Sequence, residues 1–319
     1  MNRSFYGRAI VTLLCGIDIG GTKIAIGLGD REGNILAQDR ILVDPDKSAQ
    51  ELLAEVSLRL GELASGRSFS GVGVGVPGPL DTEAGLILNA VNLPGWADLP
   101  IRDILQDSLK VPVLIENDAN AAAMGEFLFG AGRGVRDMVY VTVSTGIGGG
   151  VITDGKLLRG VRGSAGEVGH MTILPDGPLC NCGNHGCFEA LASGTAIARR
   201  AREGLEKGEK SSLRGQKIST FSISNAVRAG DPFARRIWEE SIFYLACGIG
   251  NIIAVLAPQR IVIGGGVANV GDLLFLPLRE ELKKRVCVAP LEKIEVVPAK
   301  NVNDAGLLGA LAVACGVSS

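Results

Sequence analysis

Between Glu167 and Glu189 the chain reads E-V-G-H-M-T-I-L-P-D-G-P-L-C-N-C-G-N-H-G-C-F-E. This stretch holds both histidines, His170 and His185, and three of the seven cysteines, Cys180, Cys182 and Cys187. Thiolate and imidazole are the donors zinc prefers, and four of them close a tetrahedral structural site. Disulfides explain the cluster poorly, because the cysteine count is odd and no convincing export signal is present. Unligated buried thiols suit Cys15, Cys247, Cys287 and Cys315, each set in an apolar run, where cysteine behaves as a small hydrophobe. They do not suit three cysteines and a histidine packed into a short polar, Gly-rich segment. His170 and His185 compete for the fourth place. His185 lies two residues from Cys187 and is expected to point outward, which favours His170. Glu167 and Glu189 bracket the segment, so a metal there would tie a loop that presents two carboxylates and His170 to a polar ligand.

Three other places carry chemistry-bearing residues. Asp18-Ile19-Gly20-Gly21-Thr22-Lys23 is a strand end followed by a glycine turn. It lacks the G-x4-G-K-[ST] spacing of a Walker loop, so it is either an anion nest of backbone N–H groups with the Thr22 hydroxyl or a plain hairpin turn. Ser144-Thr145-Gly146-Ile147-Gly148-Gly149-Gly150 repeats the strand, Thr/Gly turn, strand pattern further along the chain, early in the second expected domain. The echo suggests a duplicated architecture with a nucleotide phosphate clamped between the halves. Glu116-Asn117-Asp118-Ala119-Asn120 ends a strand where a helix begins, the usual place for chemistry in α/β folds. Position alone leaves Asp118 either as the helix N-cap or as a functional carboxylate.

The elements that must position these residues follow from periodicity. Strands are expected at Leu13–Ile19, Ile24–Gly29, Ile35–Val43, Gly71–Val76, Val111–Ile115, Met138–Val143, Val151–Thr153, Arg260–Ile263 and Ile294–Pro298. Helices are expected at Ala49–Leu63, Ile101–Ser108, Ala121–Phe129, from Ser193, at Pro232–Leu256 (one helix, or two meeting at Gly248-Ile249-Gly250), at Leu273–Val286 and at Ala305–Ala314. Asn89–Trp96 is an irregular loop whose asparagines and Trp96 either touch a ligand or, for Trp96, cap the core. Lys207–Ser219 reads as a mobile surface connection.

The 319 residues suffice for two domains, and 46% hydrophobic content can fill their cores. A net charge of −2, with no long Lys/Arg run, argues against nucleic acid as a partner. No apolar stretch is expected to span a membrane. Arg3 and Arg8 before Ala9–Ile17 mimic a signal peptide, but no A-x-A-like site follows. The run reads instead as a buried first strand, and the protein as cytoplasmic.

Taken in order, D-I-G-G-T-K, P-G-P, E-N-D-A-N-A-A, S-T-G-I-G-G-G, G-E-V-G-H, C-N-C-G-N-H-G-C-F-E and I-G-G-G-V resemble the ROK (repressor, open reading frame, kinase) family of sugar kinases, from about Cys15 to the C-terminal helix. The resemblance implies an α/β, actin/hexokinase-like (ribonuclease H-like) fold of two domains with a central cleft. Its domains would be residues 1–117, with 303–319 packing back on them, and 118–302. It implies ATP-dependent phosphorylation of a sugar, glucose above all, with ATP and Mg²⁺ and a homodimer or homotetramer.

Asp118 then matches the general base. Gly78, Asn92, Asn117, Glu167, His170 and Glu189 match sugar-binding positions, and Gly20, Gly21, Thr22, Lys23, Thr145, Gly146 and Gly265 match the nucleotide side. Asp18 is placed to hold Mg²⁺ through water. The structural Zn²⁺ set matches His170, Cys180, Cys182 and Cys187. Rival readings are a kinase for N-acetylmannosamine, N-acetylglucosamine or fructose, a sugar-sensing repressor, and an actin-like or chaperone ATPase. The C-x-C form and the N-L-P-G-W loop favour glucose. About a dozen residues before the first strand are too few for a three-helix DNA-binding unit, and an ATPase leaves the cysteine cluster without a purpose.

Overall fold

The computed structural model describes residues 12–89, 93, 95–301 and 304–318. The first part runs β1 (Leu13–Ile19), β2 (Lys23–Gly29), β3 (Ile35–Leu42), α1 (Ala49–Ala64), β4 (Phe69–Val76), β5 (Leu80–Asp81), β6 (Leu86–Asn89), β7 (Ala97–Leu99), α2 (Ile101–Leu109) and β8 (Val113–Asn117). After α3 (Asp118–Phe129) come β9 (Met138–Val143), β10 (Ile147–Thr153), β11 (Lys156–Leu157), α4 (Phe188–Ala192), α5 (Gly194–Glu206), α6 (Thr220–Arg228), α7 (Pro232–Leu256), β12 (Arg260–Gly264), α8 (Asp272–Arg285), β13 (Glu295–Pro298) and α9 (Ala305–Cys315). The two large sheets have the orders β3-β2-β1-β4-β8 and β11-β10-β9-β12-β13. In each, an antiparallel meander continues into two parallel strands. The echo seen in the sequence is therefore an echo of topology, and the fold is the actin/hexokinase-like one.

The chain forms two compact units. One runs through Ala121 and resumes at Gly306; the other is Ala122–Ala305. In the first unit, β4 reads G-V-G-V-G-V from Gly71 to Val76. Val72, Val74 and Val76 face the core that holds Leu52, Leu53 and Leu60 of α1 and Ile101 and Leu105 of α2. The glycine face admits the almost wholly apolar α9 so closely that a side chain at Gly73 would overlap the carbonyl of Ala310. Trp96 is 2% exposed and belongs to this core, which settles its role as packing. The small sheet β5-β6-β7 flanks the Asn89–Trp96 loop, on ground to which the sequence reading assigned no element.

In the second unit α7 is a single helix. By length and composition it could cross a membrane, against the sequence expectation. Its buried face, from Phe233 through Trp238 and Leu245 to Ile253, instead builds the core, and the Phe188 ring lies against Gly248. The connection from Lys207 to Ser219 is anchored at two points, not the mobile surface segment expected. Leu213 is fully buried, and Asp231 accepts from Ser211 Oγ at 2.7 Å and from the Ser212 N–H at 2.6 Å, while its other oxygen caps α7 at the Ala234 N–H, 3.0 Å away. Desolvation pushes the Asp231 carboxyl up, but these hydrogen bonds outweigh it and hold the group below the usual aspartate range.

Glu126, in α3, is 1% exposed. One oxygen accepts from the Ala131 N–H at 2.7 Å and the Lys300 N–H at 3.2 Å, the other from the Asn301 N–H at 2.8 Å. It joins the end of α3 to the segment just before the chain leaves this unit. Removing a buried acceptor strands its donors, at roughly 1–3 kcal/mol each. Glu126→Ala should therefore lose at least about 3 kcal/mol of stability, measured by urea unfolding followed through the buried Trp238; an unchanged midpoint would show the three bonds to be dispensable.

Candidate functional site

The strand-to-helix junction at the end of β8 is built from side chains capping backbone. Asn117 Oδ1 accepts from the N–H of Ala119 at 2.9 Å and of Asn120 at 3.3 Å, so Asn117 does the capping considered for Asp118. This is also why α3 begins at Asp118 and not at Ala121. Asp118 is the first helical residue, exposed to solvent, with Oδ1 accepting from the Ala119 N–H at 2.8 Å. Desolvation by surrounding protein pushes its carboxyl up, partly countered by main-chain N–H groups of Ala119 and its own residue. Gly78 lies beside Asn117, its missing Cβ 3.5 Å from Asn117 Nδ2. Asn92 lies outside the described residues.

Asp18, near the end of β1, is half-buried. Desolvation first, and the charge of Asp118 second, push its carboxyl up to about 6, with Lys23 pulling the other way. A side chain at Gly306 would overlap the Asp18 carboxylate, so the start of α9 closes over it. Desolvation and the Asp118 charge thus act together on a half-buried Asp18 carboxylate, and a divalent cation would relieve both. The following turn closes with the Gly20 N–H donating to the Lys23 carbonyl at 3.0 Å. Gly21, Thr22 and Lys23 are exposed on it.

In the second unit the Cys/His segment folds back on itself. The N–H of Cys180 donates to the Asn184 carbonyl, that of Gly183 to the Cys180 carbonyl, and that of Phe188 to the Met171 carbonyl, at 2.8, 2.9 and 2.8 Å. These turns gather His170, Cys180, Cys182 and Cys187, whose donor atoms all lie within 4.8 Å of one another. Cys182 and Cys187 Sγ are 3.6 Å apart, and Cys180 Sγ is 3.8 Å from His170 Nδ1. Zn–S bonds of 2.3 Å in a tetrahedron put sulfurs about 3.8 Å apart, so the four residues fit a zinc ion and exceed any disulfide distance. His185 is outside the group: it is exposed, with Nδ1 3.1 Å from the Gly177 carbonyl oxygen. With Nδ1 of His170 turned to the sulfurs, Nε2 faces Glu167, 3.9 Å from its Oε2.

Glu189 joins this loop to the Thr/Gly turn. Its Oε2 accepts from the Ile147 N–H at 2.9 Å, and its Oε1 lies 3.9 Å from Cys180 Sγ. A side chain at Gly146 would overlap the Glu189 carboxylate. β10 starts at Ile147, four residues before the expected Val151, because Ile147–Gly150 pair in register with β9. Thr145 is exposed, and Gly265, at φ +83°, packs against the Val143 carbonyl.

A cavity of about 370 Å³ in this unit is lined by Ser144, Thr145, Thr195, Arg202, Thr220 and Phe221, among others. The amino ends of α5 and α6 open on it, capped by Ser193 and Ser219; such ends favour anions. Of these lining residues, sequence reasoning singled out Thr145 alone. The Ser-Gly-Thr and Ser-Thr-Phe-Ser helix starts were the available signal.

Asp18, Gly20–Lys23, Gly78, Asn117 and Asp118 thus belong to the first unit, and Thr145, Gly146, Glu167, His170, the three cysteines, Glu189 and Gly265 to the second. The chain is 38% identical over 305 residues to a glucokinase of Thermotoga maritima, covering 94% of this chain and 96% of that one. It is 33% identical over 310 residues to a xylose repressor of Caldicellulosiruptor bescii, covering 94% of this chain and 77% of the repressor. Among solved structures it is similar to a ROK family glucokinase from Streptomyces griseus in complex with glucose and AMPPNP, with TM-score 0.79, 35% identity, and 95% and 99% of the two chains covered. The ROK family model matches residues 14–316, and on that near-complete match the chain belongs to the ROK family.

Proposed function

We propose that the protein transfers the γ-phosphoryl group of ATP to glucose, giving glucose 6-phosphate and ADP. The observation that carries this reading is the near full-length similarity to glucokinases, together with an Asp118 carboxylate that is exposed at a strand-to-helix junction already capped by Asn117. Asp118 accepts the hydroxyl proton as the sugar oxygen attacks phosphorus and the bond to ADP breaks. Phosphoryl transfer asks little more of a protein than this base, positioning and charge neutralisation.

Asn117, Gly78, Asn92, Glu167, His170 and Glu189 hold the sugar, whose hydroxyls are read by side chains of fixed geometry. The turn Gly20–Lys23, with Thr145, Gly146 and Gly265, holds phosphate. The cavity bearing Arg202 and Phe221 takes the nucleoside. Asp18 would help to hold Mg²⁺, which would supply neutralisation of phosphate charge when bound. His170, Cys180, Cys182 and Cys187 would hold a structural Zn²⁺, and with Nδ1 so engaged His170 would turn Nε2 to the sugar. The protein works in the cytoplasm, where ATP and reduced thiols coexist, as a homodimer or homotetramer.

The decisive assay is ADP release from ATP-Mg²⁺ across glucose, mannose, fructose, N-acetylmannosamine and N-acetylglucosamine. Glucose should give the highest kcat/KM. Preference for an N-acetylated sugar would change the substrate and keep the mechanism, and no sugar-dependent release from zinc-loaded protein would overturn the kinase reading. Asp118→Asn should bind glucose normally while kcat falls roughly a hundredfold to ten-thousandfold; substantial turnover would remove Asp118 from its role. A base works only when deprotonated, so kcat should fall with falling pH. Because the Asp118 carboxyl is pushed up, the midpoint of that acid limb should lie above the ordinary aspartate value of about 4; a limb at or below 4 contradicts the assignment. Cys182→Ser should lower bound zinc below one per chain, and weaken glucose binding by calorimetry about 10- to 100-fold. Full zinc content in that variant would exclude Cys182 from the ligand set.

A further inference from the structure

Glu116 precedes the Asn-Asp pair and has no part in the reaction as described above. It is 1% exposed, as is Asn120 one turn into α3. A carboxylate buried this fully needs a reason. Its Oε1 accepts from the N–H of Asn117 at 3.1 Å and from Asn120 Nδ2 at 3.1 Å. One oxygen therefore grips the last residue of β8 and the first turn of α3, with Asp118 between the two points. Asn117 Oδ1 completes the knot by accepting from Ala119 and Asn120 N–H groups.

Strand register shows what the knot is tied to. Asp18 pairs with Gly75, and Gly75 pairs with Glu116, across three adjacent parallel strands. The two acidic residues thus stand on one face of the sheet, about 10 Å apart, with only Gly75 between them. A Cβ at Gly75 would lie in ordinary contact with both neighbours, 3.4 Å from the Ala121 Cβ and 3.8 Å from Asp18 Oδ1. So the first turn of α3 is laid onto the sheet beside Asp18. An apolar side chain at position 116 would fill the same space and leave the Asn117 N–H and the Asn120 amide unmatched.

We infer that Glu116, acting through Asn120 and the Asn117 main chain, is a positioning residue that sets the direction of the Asp118 carboxylate. The inference rests on Asp118 being the base. A base displaced by a fraction of an ångström loses proton-transfer efficiency, while groups elsewhere that bind substrate are untouched. Support of this kind typically counts for 10- to 100-fold in activity.

The test uses the full-length, zinc-loaded protein. Glu116→Ala should lower kcat about 10- to 100-fold with KM for ATP within about twofold of wild type. Glu116→Gln keeps a side-chain oxygen of the same reach for both donors and should recover most of the lost kcat. Asn120→Ala should lower kcat by a similar factor, and the Glu116→Ala/Asn120→Ala double variant should be little worse than either single one, since both break one link. Additive losses, no recovery by Gln, or a kcat loss that merely tracks the folded fraction measured by thermal melting would overturn the proposal. If Glu116→Ala does not fold, Asn120→Ala and Glu116→Gln still decide it. Asp118→Asn separates the two readings: an active Asp118→Asn enzyme defeats the base assignment, whereas an inactive one beside a fully active Asn120→Ala defeats this inference alone.

Discussion

Acidic side chains accepting main-chain N–H groups fix four of the junctions at which this protein's helices meet its strands and loops. Glu116 takes the Asn117 N–H, Glu126 takes three, one from five residues on and two from 174 and 175 residues on, Glu189 takes Ile147, and Asp231 takes Ser212 and Ala234. Each sits where a strand or loop turns into, or away from, a helix. Loops carry unpaired N–H groups by nature, and a charged acceptor satisfies them with shorter, stronger bonds than a neutral one. Of the residues proposed for sugar and phosphate, Asn117, Asp118 and Gly146 stand on or beside backbone fixed in this way.

Close packing supplies the second constraint. Alternating Gly and Val on β4 give one strand two different faces: valines fill a core, and glycines let α9 approach the sheet at backbone distance. The same approach brings the start of α9 over Asp18, which contributes to the desolvation that keeps that carboxyl near 6. A group so displaced is a natural partner for a cation, because bound positive charge restores the ionised form. In the second unit Gly146 has the corresponding duty, leaving space for the Glu189 carboxylate. That one residue touches both the Thr/Gly turn and the cysteine loop, so a metal that ordered the loop would also steady the turn.

Much of the fold was legible beforehand because its signals are local. Apolar alternation marks the strands, helical periodicity marks α1 and α2, and the repeated strand, Thr/Gly turn, strand pattern marks the doubled topology. Where the reading failed, contacts distant in sequence had decided the outcome. The Lys207–Ser219 connection is polar and looks mobile, but Asp231 and the buried Leu213 tether it. Ile147–Gly150 reads as a glycine turn, yet antiparallel pairing with β9 extends the strand through it. Of the two readings left open for Trp96, ligand contact and core cap, burial selects the core. The apolar length of α7 satisfies a membrane test and is used for a core.

The candidate site divides along the same line. Residue types and spacing by themselves determined that three cysteines and a histidine belong together, that a carboxylate stands at a strand end before a helix, and which ROK motifs the chain carries in order. Donor chemistry and short-range spacing are written in the chain. Only the tertiary structure decided that His170 and not His185 joins the cysteines, that Asn117 caps α3, that Thr195, Arg202, Thr220 and Phe221 share a cavity with Thr145, and that Asp18, Gly75 and Glu116 stand in line across one sheet. Those facts depend on strand register, turn closure and helix packing between residues far apart in the chain, which a local pattern does not encode.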